Sequence, residues 1–117
     1  METKVFFTEE FEKDVKKFLK KFPTLAEELL IFEESLIENP MQGVSLGAGL
    51  YKVRVSSESK SKGKSGGFRV INYLVTKEKE TIKVYVIKIY DKSEEGNIRK
   101  QLLVKLLKSL GFKLARL

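Results

Sequence analysis

The chain reads as an α+β domain in which a short N-terminal strand and a helical hairpin precede a three-stranded antiparallel meander and a C-terminal helix. Three observations predict it. Apolar residues recur at helical spacing before Pro40, alternate with polar ones from Leu50 to Tyr90, and return to helical spacing after Ile98. At 117 residues the chain suits one domain, spanning 1–117, with a modest core.

Lys4 to Phe7 is a β-prone run, and Thr8 follows as an N-cap with Glu9 and Glu10 in the first turn, where the helix dipole favours acids. Phe11, Val15, Phe18, Leu19 and Phe22 then fall on one helical face, and Pro23 stops the helix. Thr24-Leu25-Ala26-Glu27 has the form of a capping box, and Leu25, Leu29, Phe32, Leu36 and Ile37 carry a second stripe to Asn39-Pro40. Lysines on the outer faces of this hairpin read as a solvated surface.

Gly43, Gly47 and Gly49 mark a turn-rich bridge. From Leu50 to Val55 the alternation places Tyr51, Val53 and Val55 on one face and Lys52 and Arg54 on the other. The two cations lie roughly 6.5 Å apart by strand rise, close enough to share one phosphodiester. Ser56 to Gly67 is a serine-, glycine- and lysine-rich loop. Phe68 to Val75 and Thr81 to Tyr90 are long strands joined by the polar turn from Lys77 to Glu80. Ile98, Leu102, Leu103, Leu106, Leu107 and Leu110 form the last apolar stripe, closed by Gly111. The helices are expected against one face of the sheet.

Charge is concentrated in the middle of the chain. Lys52, Arg54, Lys60, Lys62, Lys64 and Arg69 face a single acid, Glu58, within a chain of formal net charge +7, which points to a polyanionic partner. Lys52, Arg54 and Arg69 lie in strands, where propensity gives no reason for a cation. An exposed sheet face or a charged edge strand is the alternative reading. The loop lysines Lys60, Lys62 and Lys64 fit either a solvated hairpin loop or a flexible cradle for a nucleic-acid backbone.

With no histidine and no cysteine, disulfides and thiolate chemistry are excluded, and Lys, Arg, Tyr, Asp and Glu must carry any reaction. The acidic pairs Glu33-Glu34 and Glu94-Glu95 and the run Glu78-Lys79-Glu80 do not converge as metal ligands, so neither metal nor cofactor is expected. Gly63-Lys64-Ser65 is not a P-loop: the required upstream glycine position holds Glu58, and the segment runs from strand to strand. The start, Met1-Glu2-Thr3-Lys4, leads into an acidic amphipathic stretch, so a cytoplasmic protein without signal peptide or membrane span is expected.

Three segments together resemble the RelE/HigB family of bacterial toxin–antitoxin toxins: Leu46 to Val55, Gly63-Lys64-Ser65-Gly66-Gly67-Phe68-Arg69-Val70-Ile71, and Ile87-Lys88-Ile89-Tyr90-Asp91-Lys92-Ser93-Glu94. The likeness covers most of the chain, and the Gly-Lys-Ser-Gly-Gly-Phe-Arg run is particular to the HigB-like branch. It implies a RelE-like fold and a ribosome-dependent endoribonuclease that cuts messenger RNA without metal, the RNA 2′-hydroxyl attacking the neighbouring phosphate. Lys52 stands where the family places a catalytic lysine, implying a general base. Arg54 and Arg69 are implied to stabilise the pentacoordinate phosphate, and Lys92 stands where several relatives carry an arginine that assists the leaving oxygen. Lys60, Lys62, Lys64 and Lys88 are candidate RNA contacts. Tyr90 is the candidate stand-in for a tyrosine or histidine that relatives carry early in the last helix, near Ile98 here. The implied partners are a cognate antitoxin, the ribosome with its messenger RNA, and operator DNA through the antitoxin complex. Two other functions suit the residues: a ParE-like gyrase inhibitor, which shares the fold, and a basic RNA-binding module without catalysis.

Overall fold

The computed structural model describes residues 2–60, 67–77 and 80–111. Their elements run β1 (Glu2–Phe7), α1 (Glu9–Leu19), α2 (Leu25–Glu38), β2 (Val44–Gly47), β3 (Leu50–Val55), β4 (Phe68–Lys77), β5 (Thr81–Asp91), a 3-10 helix (Lys92–Asn97) and α3 (Lys100–Ser109). The strands make one five-stranded sheet in the order β1-β5-β4-β3-β2. The expected α+β class and the β3-β4-β5 antiparallel meander are both present. Among the described residues no helix is long and apolar enough to cross a membrane.

The start of α1 follows from Thr8. Its extended backbone (φ −76°, ψ 160°) turns the chain out of β1, and its Oγ1 accepts the Phe11 amide at 3.3 Å while donating to the Val86 carbonyl at 3.0 Å. One hydroxyl thus caps α1 and ties it to β5, beside which β1 lies parallel from Glu2↔Thr81 to Phe7↔Val86.

Three local expectations are corrected. The glycine bridge contains β2, which pairs antiparallel with β3. Gly43 at φ +96° and Gly47 at φ +88° bracket a short β-competent run, Val44-Ser45-Leu46. The capping box does not form either. Thr24 is itself helical (φ −71°, ψ −11°), and its hydroxyl bonds Ser59 instead of the start of α2.

The helices, finally, cover both sheet faces. α1 and α2 pack Phe11, Leu25, Leu29, Phe32 and Leu36 onto Val53, Val55, Phe68, Val70, Val84, Val86 and Ile89. α3 packs Leu103 and Leu107 onto the opposite face, against Leu50, Ile71, Ile87 and Tyr90. The central strands β4 and β5 are apolar on both sides, so a single helical layer would leave one face wet. α3 ends as its sequence predicts, with Gly111 at φ +93° and its amide 3.0 Å from the Lys108 carbonyl.

Candidate nucleic-acid interface

Pairing between β3 and β4 sets the geometry of the predicted cations. Their register places Arg54 directly opposite Arg69 and Lys52 opposite Ile71. Residues directly opposite share a sheet face, and period-two alternation puts Lys52 on that face with Arg54. Lys52, Arg54 and Arg69 therefore stand together on the side that α3 partly covers. Opposed residues have Cβ atoms about 4.5–5.5 Å apart, a spacing at which like charges repel and a bound anion is favoured. A phosphate between two guanidiniums can accept paired hydrogen bonds from each.

Lys92 opens the 3-10 helix just past β5, next in sequence to Asp91, which is opposite Phe68. Its amide lies 3.4 Å from the Gly67 carbonyl, which anchors the start of that helix to the entry of β4, two residues before Arg69. Gly67 is at φ +58°, and a Cβ there would lie 2.6 Å from the Val55 carbonyl oxygen. Only glycine brings the two strand ends this close without strain.

Lys60 is turned inward rather than toward a ligand. Its Nζ lies 2.5 Å from Asp91 Oδ2 and 3.2 Å from the Gly67 carbonyl, and its side chain is only 14% exposed. The same ammonium sits over the Phe68 ring at 4.9 Å and the Phe22 ring at 5.6 Å. Burial pushes the Asp91 carboxyl up, but hydrogen bonds from Lys60 and the Ser93 amide outweigh it and hold the group below its ordinary value. The adjoining Ser57–Ser59 stretch is tied to α2. Ser59 N donates to Thr24 Oγ1 at 3.0 Å, and Glu58 N donates to Glu28 Oε2 at 2.8 Å.

Two further candidates, Lys88 and Tyr90, lie on β5. Lys88 sits beyond the last β1–β5 pair, at a bulge where it and Ile87 both oppose the Ile71 end of β4. Its ammonium reaches Asp14 on α1 at 3.0 Å and Glu10 at 3.5 Å. Burial pulls its pKa down, and those two acids more than offset this, so the group is held above its ordinary value. Tyr90 pairs with Arg69 in register but is 2% exposed, packed in the core beneath α3. So deep a position does not suit the expected stand-in for the relatives' tyrosine or histidine, because a packed ring offers RNA no open face. Lys62 and Lys64, with the Gly63-Lys64-Ser65 segment, lie outside the described residues.

A cavity of about 590 Å³ between α1 and α2, lined by Phe7, Val15, Leu19 and Leu29, opens on the other face of the sheet and has no part in the cation cluster. Sequence reading missed Asp91, which binds the Lys60 ammonium and accepts the Ser93 amide at 2.9 Å through Oδ1. An aspartate two residues before a serine at a helix start is an Asx-turn signature, and that signal was present.

The fold and this face define a class: a small α+β protein with three cations fixed on the face of a central meander. The description "RelE toxin of RelE / RelB toxin-antitoxin system" matches residues 3–116, and the chain belongs to that family. An antitoxin is the partner that membership implies. Among solved structures the chain is similar to Escherichia coli toxin RelE, an arginine-to-alanine double mutant in the free state. The TM-score is 0.55, with 19% identity over 94% of this chain and 99% of that one, a likeness of fold alone.

Proposed function

We propose that this toxin is a metal-independent endoribonuclease that cuts messenger RNA on the ribosome and so arrests translation. The observation that carries the reading is the opposition of Arg54 and Arg69 in register, with Lys52 on the same face. Lys52 takes the proton from an RNA 2′-hydroxyl, whose oxygen attacks the adjacent phosphorus. Arg54 and Arg69 hold the equatorial oxygens as negative charge develops. The bond from phosphorus to the 5′-oxygen breaks, and Lys92 returns a proton to that oxygen. The products are a 2′,3′-cyclic phosphate and a 5′-hydroxyl. The cognate antitoxin silences the activity, and operator DNA is bound through the antitoxin complex.

The test is 5′-end mapping of a translated messenger RNA incubated with purified protein, with and without ribosomes, beside Lys52→Ala and Arg69→Ala. Cuts that need ribosomes and disappear in both variants support the reading. A protein that arrests growth without cutting RNA overturns it and directs the search to gyrase or another protein target.

A further inference from the structure

We propose that Lys60 and Asp91 are positioning residues for the cationic site, a clip that ties the start of the β3–β4 connection to the 3-10 helix and fixes Lys92 relative to Arg69. The inference rests on the nuclease reading for its effect on rate, but the clip itself is a matter of geometry.

Asp91 serves two segments at once. Oδ2 binds the Lys60 ammonium and Oδ1 accepts the Ser93 amide, so one carboxylate joins the loop base to the first turn after β5. Lys92, between Asp91 and Ser93 in the chain, is further held by its amide on the Gly67 carbonyl, which also accepts Lys60 Nζ. Lys60, Gly67, Asp91 and Ser93 thus form one connected set of polar groups around the Lys92 backbone, just past the register pairs Phe68↔Asp91 and Arg69↔Tyr90.

Below this set the ammonium lies against Phe22 and Phe68, and Phe22 and Phe18 meet the Phe68 ring edge-on at 5.5 and 4.9 Å. A lysine meant to find a phosphate gains nothing from an aromatic floor and a carboxylate partner. A lysine meant to hold its own chain in place gains from both. The site needs such a clip because Lys92 lies past the end of β5, where its backbone bond to the Gly67 carbonyl is a long 3.4 Å. A displacement of about 1 Å at a reacting group lowers rate by about 10²-fold.

The experiment compares Lys60→Met, which keeps the stem between the rings, with Asp91→Asn, the double variant, and Lys60→Arg. Cleavage kinetics, RNA affinity and backbone amide spectra are measured for each against wild type. Positioning predicts that kcat falls about 10- to 100-fold in either single variant with KM and RNA affinity unchanged. The double variant should be no worse than the worse single, and Lys60→Arg should recover most of the rate. The Gly67, Lys92 and Ser93 amide resonances should move in Lys60→Met and Asp91→Asn alike. A direct phosphate contact predicts instead a weaker affinity for Lys60→Met alone and a salt slope shallower by about 0.7. That outcome, or unmoved amides, overturns the clip. If wild-type protein cuts no RNA but the three amides still move together, the nuclease reading fails and the clip stands.

Discussion

Arg54 and Arg69 face each other across the β3–β4 ladder, each the register partner of the other. Directly opposed like charges in a sheet work against folding by a few tenths of a kcal/mol to about 1 kcal/mol, so the cross-strand pairing itself gives no reason for the two arginines to stand opposed. Replacing Arg69 with Ala should leave the unfolding midpoint within about 0.5 kcal/mol of wild type or slightly above it, while RNA cleavage falls about 10²- to 10³-fold. Arg69→Lys keeps the charge but not the paired donors and should recover only part of the loss. Urea unfolding read beside 5′-end mapping separates the two effects. A variant that loses stability and activity in proportion would make the pair structural.

Asn72 is completely buried on β4, and among the described residues neither its side-chain oxygen nor its nitrogen has a hydrogen-bond partner. It lies at the β4–β5 register shift, opposite Tyr51 on one side and Val86 on the other. An unsatisfied buried amide works against folding by about 1–3 kcal/mol, so Asn72→Leu, which keeps the branched outline with the same number of heavy atoms, should stabilise the protein by that order. A thermal midpoint raised by several degrees with cleavage unchanged is the expected result. A lower midpoint would mean the amide is satisfied in solution, with an internal water as the simplest partner.

Elements set by local chemistry were legible in the sequence. Thr8 caps α1, Gly111 follows α3, and β3 spans Leu50–Val55 as its alternation predicts. What could not be read depends on distant chain. β2 is four residues between glycines, too short for a period, and exists because β3 offers it an edge. The destination of Lys60 was hidden for the same reason: its partner Asp91 is 31 residues away, and a serine-, glycine- and lysine-rich segment has no periodicity to mark an inward side chain. The two-sided cover of the sheet was visible in principle, since Ile71 and Val70 are adjacent and both fully buried. Neighbours on a strand point to opposite faces, so two buried neighbours require two cores.

Stability should have an acid limb assigned in part to Asp91 and an alkaline limb assigned in part to Lys88. Asp91 is held below its ordinary value of 3.8 when folded, so its contribution is complete above that pH and is lost as pH falls through the lower folded value. Lys88 is held above its ordinary 10.5, so its contribution is complete below that pH and is lost as pH rises through the higher folded value. Urea midpoints should be level across neutral pH. Asp91→Asn should flatten the fall below about pH 4, and Lys88→Met the fall above about pH 10. Limbs unchanged in both variants would move the titrating groups elsewhere.

Gly43 supports the site through the Lys52 backbone. At φ +96° it lets the chain enter β2 tightly against β3, where a Cβ would collide with the Lys52 carbonyl oxygen and lie 2.8 Å from Val53 Cγ2. An alanine meets two penalties together, a backbone region that L-residues rarely adopt and a clash with backbone rather than with a yielding side-chain tip. The expected loss is about 1–3 kcal/mol of stability. Because the collision falls on Lys52 itself, the β2–β3 pairing Val44↔Lys52 must open or the lysine must shift. Gly43→Ala should therefore lower kcat well below the transition temperature, where the protein is still folded. Gly111→Ala supplies the control, since among the described residues its Cβ would meet nothing within 4 Å at the comparable φ of +93°. Equal loss of cleavage in both variants would trace the effect to general destabilisation; loss in Gly43→Ala alone would trace it to Lys52.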